Sequence, residues 1–258
     1  MLFQVRSYVD FILKSTNQHG VHSPFVYALI TECFYDKKDQ SWHSEFDKYN
    51  GQLLNTNATI DVEDFGAGSK NLRSNIRTIS NIVKNAGVSK KRAYLLGRIV
   101  NYFNCERILE IGTSLGLATA SIGLANPSAK ITTLEGCKNT AAIAKNSFEL
   151  FKFENITIEI GNFNDTLPKV LSDEKFDLIY FDGNHQKQPT IDYFELCLRS
   201  KHQDSIFIFD DIYWSKGMQE AWNYIRNHKE VTVSIDTFYW GIVFFRKEQP
   251  KQHFTIRL

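Results

Sequence analysis

The chain has 258 residues, 43% of them hydrophobic, and a formal net charge of +1, enough apolar content for a full core and too little charge to draw nucleic acid or an anionic membrane from a distance. Cys33, Cys105, Cys137 and Cys197 show no C-x-x-C pair and no disulfide-like spacing, the pattern of a reduced, cytoplasmic protein. No apolar run reaches the roughly 18 residues needed to span a bilayer, and the first residues lack the pattern of a secretory signal.

Residues 1–104 read as mostly helical, opening with an amphipathic stretch over 1–14. His19-Gly-Val-His22 has metal-like spacing without an acid or cysteine partner and reads as a loop. Ser23-Pro24 reads as a helix start, with serine as the cap and proline at the first helical position. Thr59-Ile-Asp-Val followed by Asp64-Phe-Gly66-Ala-Gly68-Ser69 resembles a strand running into a glycine loop. The polar stretch 71–85 after it reads as helix with no second strand, so the Gly66–Gly68 loop is expected to be a tight turn or a lid over substrate. Residues 89–104 carry apolar positions at helical spacing and lead into the first strand of a core.

From Arg107 the pattern alternates strictly. Strands are expected at 107–112, 130–135, 155–160, 176–182 and 205–210. Helices are expected at 115–126, 138–151, 166–172, 187–200 and 216–228. A closing hairpin is expected from Val231–Ile235 and Phe238–Phe245. Such alternation argues for an α/β, Rossmann-like, doubly wound sheet.

The most informative stretch is Arg107-Ile-Leu-Glu-Ile-Gly-Thr-Ser-Leu-Gly116, an apolar strand that enters a glycine turn and then a helix. Glycine lets backbone approach a ligand closely, and the following helix N-terminus favours anionic groups. Ile131-Thr-Thr-Leu-Glu135 is a second strand that ends in a carboxylate. In open α/β sheets an acid there accepts hydrogen bonds from a ribose. Together the two imply an adenosine-type cofactor. Two later strands, Phe176–Asp182 and Ile206–Asp210, also end in acids, the second continued by Asp211. Acids that converge from strand ends repel unless a cation or a proton lies among them, and hard divalent cations take oxygen ligands. His185, three residues beyond Asp182, could remove a hydroxyl proton near neutral pH or orient Asp182.

On these residues the chain, over roughly 89–246, resembles the class I S-adenosylmethionine-dependent methyltransferases. Within that class it is similar to the catechol, caffeoyl-CoA and macrolide-sugar types of metal-dependent O-methyltransferase. Their Glu-x-Gly-x-x-x-Gly turn is matched by Glu110, Gly112 and Gly116, and their ribose acid by Glu135. Gly161-Asn-Phe-Asn-Asp165-Thr-Leu-Pro168 fits their next element. The resemblance implies a seven-stranded methyltransferase sheet (89–258) with a terminal antiparallel hairpin. Residues 1–88 then form a mostly helical N-terminal cap that serves as a substrate lid or a homodimer contact. It places S-adenosyl-L-methionine on Glu110, Gly112, Thr113, Ser114, Gly116, Glu135, Gly136, Asn162, Asn164 and Asp182. A divalent cation, Mg²⁺ by type, falls to Asp182, Asp210 and Asp211, with His185 and Asp182 catalytic and Tyr213 and Trp214 against the acceptor. The sequence departs from the catechol type at Asp211, where an asparagine is usual, at His185, where the base is a lysine, and at Ala118, where a serine touches the methionine carboxylate.

The expected reaction is methyl transfer to a hydroxyl of a small molecule. Three other readings remain at this stage: a tRNA-modifying O-methyltransferase, a silent binding module with the same fold, and a nicotinamide-dependent dehydrogenase. The absent G-x-G-x-x-G and the terminal hairpin weigh against the last.

Overall fold

The computed structural model describes residues 2–63, 65–66, 74–172 and 174–258. Two units divide the chain, Lys37–Val170 and Met1–Asp36 with Leu171–Leu258.

In the unit Lys37–Val170 three strands, Arg107–Ile111, Lys130–Glu135 and Ile156–Ile160, pair in parallel in that order. The helices Leu117–Ala125 and Lys138–Leu150 connect them, and Phe163–Val170 follows the third strand. Ile108, Leu109, Glu110 and Ile111 are all buried, as expected for a parallel strand covered on both faces, where apolar residues run on rather than alternate. The helix Lys90–Tyr102 starts where Ser89 accepts a hydrogen bond from the Arg92 amide at 3.4 Å. It packs on Leu117–Ala125 through small residues. A Cβ on Gly97 would stand 3.0 Å from the Ala125 methyl.

One expectation fails in this unit. Ile76–Thr78, read as part of a helix, is a strand antiparallel to Thr59–Asp61, and the helix begins only at Ile79. Ile76 and Thr78 are β-branched, and a ladder partner was within reach; Thr78 then caps the helix by accepting from the Asn81 amide at 3.2 Å. Gly68 and Ser69 of the second glycine loop lie outside the described residues.

In the other unit, Leu178–Phe181 and Ile206–Asp210 pair in parallel. Trp240–Phe244 runs antiparallel to both Ile206–Asp210 and Val233–Asp236, which is the expected terminal hairpin. The helices Lys187–Cys197 and Lys216–Asn227 connect the strands. Ser23 and Pro24 open a helix as expected, with Ser23 Oγ accepting from the Val26 amide. Gln252–Thr255 is a further strand, parallel to Val233–Asp236. Among the described residues, these five strands and the three parallel strands of the other unit number eight, one more than the seven the class implies. That last strand is short and polar, and only the free edge of Val233–Asp236 makes it a strand. Its own outer side meets Thr16, whose amide donates to Thr255 O at 2.9 Å and whose carbonyl accepts from the Arg257 amide at 3.0 Å.

All four cysteines are buried, and none is in a disulfide. Among the described residues no helix is long and apolar enough to cross a membrane.

Candidate cofactor and acceptor residues

The glycine turn is built on left-handed backbone. Gly112, Ser114 and Gly116 have φ of 111°, 49° and 76°, conformations that glycine adopts without penalty and serine does not. The Gly112 and Thr113 amides both donate to Leu134 O at 3.0 Å, and the Gly116 amide donates to Thr113 O at 2.8 Å. Tyr49, from the helix His43–Leu54, braces the turn from below. It is fully buried and its hydroxyl donates to Leu115 O at 2.9 Å, and burial pushes its phenol well above the usual range. A Cβ on Gly116 would stand 2.5 Å from Phe148 Cζ and 2.8 Å from Tyr49 Oη, so no other residue fits there. No motif pointed to Tyr49; only the fold brings it under the turn.

Glu135 is tied to the turn directly. Its Oε2 accepts from the Ser114 amide at 2.6 Å and its Oε1 from the Cys137 amide at 2.9 Å. Such bonds orient the carboxylate, which offers about four lone-pair sites in all. Burial raises its pKa, opposed by the amides of Cys137 and Ser114. Gly136 follows on the surface side, and the Gly161 amide donates to Glu135 O at 2.9 Å. Asn162 and Asn164 are exposed, and Asn162 Oδ1 accepts from the Asn164 amide at 2.9 Å.

Glu110 and Thr113 turn inward instead. Glu110 is fully buried, and its Oε2 accepts from Thr119 Oγ1 and, at 2.6 Å, from Thr133 Oγ1. The single Thr133 proton is thus used, so Thr113 Oγ1 donates to Thr133 Oγ1 at 2.6 Å. Glu110 Oε1 is buried without a hydrogen-bond partner. Burial is the main reason its pKa is raised to about 7; the threonine hydroxyls oppose the shift, and the Glu135 charge adds to it.

In the other unit, Asp182 follows Leu178–Phe181 directly and Asp210 ends Ile206–Asp210. Asn184 and His185 both have left-handed backbone, at φ 70° and 50°, each costing about 1–3 kcal/mol. His185 Nε2 stands 3.7 Å from Asp182 Oδ1. His185 does not cap the next helix, because Gln186 occupies that position without a side-chain cap bond. Asp210 is buried, and Asp211 has left the strand on left-handed backbone, φ 53°. The expected metal set is not assembled: among the described residues no group of three or more His, Cys, Asp or Glu side chains is placed to hold a metal ion.

Tyr213 is fixed by donating to Asp236 Oδ2 at 2.6 Å, while Asp236 Oδ1 accepts from the Phe238 amide at 2.8 Å. Its ring stacks on Phe238 with centroids 5.2 Å apart, and Tyr8 meets the same ring edge-on at 4.9 Å. Burial and the Asp236 charge raise the Tyr213 pKa beyond its usual range. The Trp214 amide donates to Asp211 O at 2.8 Å, so Trp214 is set by the turn that follows the acids.

Residues 109–212 match the family model of a methyltransferase domain. No curated protein sequence matches the chain. Solved structures share the fold. The O-methyltransferase from Bacillus cereus in complex with SAH is 19% identical, over 85% of this chain and 96% of that one, with a TM-score of 0.56. TomG, the O-methyltransferase from Streptomyces achromogenes involved in tomaymycin synthesis, solved with SAM, is 16% identical over 90% and 99%, at 0.57. SAH-bound PaMTH1 from Podospora anserina is 13% identical over 88% and 97%, at 0.60. Residues 109–212 thus match a methyltransferase domain, on a fold shared with SAM- and SAH-bound O-methyltransferases.

Proposed function

We propose that the chain O-methylates a hydroxyl of a small molecule, with Glu135 holding the ribose of S-adenosylmethionine and His185 taking the proton of the acceptor. The observation that carries this reading is His185 itself, held on costly left-handed backbone beside Asp182. Strain of this kind persists where the surrounding structure imposes it, and it concentrates at working sites. When bound, S-adenosylmethionine supplies a methyl group on a sulfonium, which an oxygen nucleophile can attack in line. The chain's own residues then have three tasks. The Gly112–Gly116 turn and Glu135 seat the nucleoside. Asp182 steadies the imidazole and stabilises the imidazolium that forms. Tyr213 and Trp214 wall the acceptor, and positioning of this kind is a large part of what such a reaction needs.

The metal-dependent relatives imply a cation at Asp182, Asp210 and Asp211. The described donors do not fit that role as placed, so the proton is assigned to His185 with no step through an ion. TomG, similar in fold, is involved in tomaymycin synthesis, and the near-zero net charge favours a small acceptor over nucleic acid. These two facts support a small-molecule hydroxyl.

The test begins with calorimetric titration of S-adenosylhomocysteine, followed by mass-spectrometric detection of methylated product from catechols, simple phenols and sugars, in EDTA and in Mg²⁺. Nucleoside binding and product in EDTA are the expected results. Activity that disappears in EDTA and returns with Mg²⁺ would restore the metal reading. His185→Asn, chosen because asparagine tolerates left-handed backbone, is expected to lower kcat by about 10²–10⁴, the usual worth of a general base, with cofactor affinity unchanged. Wild-type turnover in this variant would remove His185 from the chemistry.

A further inference from the structure

Phe65 lies in no motif, yet its ring rests on the residue that follows the ribose acid. The position a Cβ would take on Gly136 is 2.8 Å from Phe65 Cδ2, 3.3 Å from Cε2 and 3.7 Å from Cγ. The ring thus occupies the space that a side chain after Glu135 would otherwise fill. The segment is pinned there. Asn139 Nδ2 donates to Asp61 O at 2.7 Å, and the Glu63 amide donates to Cys137 Sγ at 3.4 Å. The Thr59–Asp61 strand that leads into it is paired along its length with Ile76–Thr78. Phe65 is nevertheless 47% exposed. Part of the ring covers Gly136, and the remainder is open beside Glu135.

A purine is bonded directly to the ribose whose hydroxyls Glu135 accepts, so the base must fall within a few ångströms of that carboxylate. Gly136 has no side chain to pack against it. We propose that Phe65, carried in from the Thr59–Asp61 segment, supplies the aromatic face on which the adenine of the cofactor rests. The assignment depends on the S-adenosylmethionine reading above. It also gives the glycine at 136 a purpose, since any side chain there would displace the ring. The two strands that bracket Phe65 in the chain then have a function too: they deliver one ring to the adenosine end.

Three variants and two ligands test this, with S-adenosylhomocysteine and 5′-methylthioadenosine titrated calorimetrically. Phe65→Ala is expected to weaken both ligands about tenfold, within the range of one base–aromatic stack, and to weaken them equally because they share the adenosine half. Phe65→Leu, which keeps an apolar cover without a ring, is expected to bind nearly as weakly as Phe65→Ala. Phe65→Trp is expected to restore affinity and to show ligand-dependent quenching beyond that of the four native tryptophans. Unchanged affinity in Phe65→Ala, or full affinity in Phe65→Leu, overturns the stacking role while leaving the enzyme reading intact. A wild-type chain that binds neither ligand overturns the S-adenosylmethionine reading itself.

Discussion

Glu135→Ala is expected to reduce S-adenosylhomocysteine affinity by about 10²–10⁴-fold and to lower the stability of the free protein as well. The binding loss follows from two hydroxyl bonds to a charged acceptor, each worth about 1.5–3 kcal/mol. The stability loss has a separate cause. Without the carboxylate the Ser114 and Cys137 amides, now bonded at 2.6 and 2.9 Å, lose their acceptors. An unsatisfied buried donor costs about 1–3 kcal/mol. Water reaches this half-buried corner, so a total of about 2–3 kcal/mol is expected, or a Tm lower by very roughly 5–10 °C for a chain of this size. Glu135→Gln keeps an acceptor oxygen for one amide and should lose less stability but nearly as much affinity. Calorimetric titration and thermal unfolding separate the two effects. Native affinity in Glu135→Ala would move the ribose elsewhere.

Glu110 sets a second expectation, on pH. Its pKa is raised from 4.5 in the unfolded chain to about 7 in the fold, so the folded state binds this proton more tightly than the unfolded state does. The contribution to stability is full below pH 4.5, declines as pH rises, and is lost once pH has passed through 7. The total lost across that window is about 3 kcal/mol. Glu110→Gln has no proton to lose. Its amide oxygen can still accept from Thr119 and Thr133, and its NH₂ stands where Oε1 already lacks a partner. Urea unfolding at pH 5, 6, 7 and 8 should therefore show wild-type stability falling relative to the variant, most steeply between pH 5 and 7. Parallel curves for the two proteins would show that Glu110 keeps the same proton affinity folded and unfolded.

Both acids were legible in the sequence as acids at the right places, but their roles were not equally legible. Glu135 closes a strand and sits at a turn, where a carboxylate has little to do except meet backbone amides or a ligand. Glu110 lies within a strand, two residues before the turn, and the sequence cannot say which face of that strand is inner. The fold decides that, because Thr119 and Thr133 come to Glu110 from a helix and from the neighbouring strand. The three aspartates are a similar case. Their positions at strand ends were readable from hydrophobic runs, whereas whether their side chains converge depends on the fold.

By itself the sequence determined the α/β alternation, the glycine turn, the strand-end acid Glu135 and the closing hairpin. Each rests on local periodicity, on a glycine where backbone must be left-handed, or on a strand end marked by charge. Tertiary structure alone decided the rest. It made strands of Ile76–Thr78 and Gln252–Thr255, because a short polar segment becomes a strand only when a partner offers its ladder. It put Tyr49 beneath the turn and Phe65 over Gly136, pairings across long stretches of chain that no spacing encodes. It drew Glu110 away from solvent, where its charge becomes costly. These are contacts between distant segments, and their energies exist only once the chain has folded.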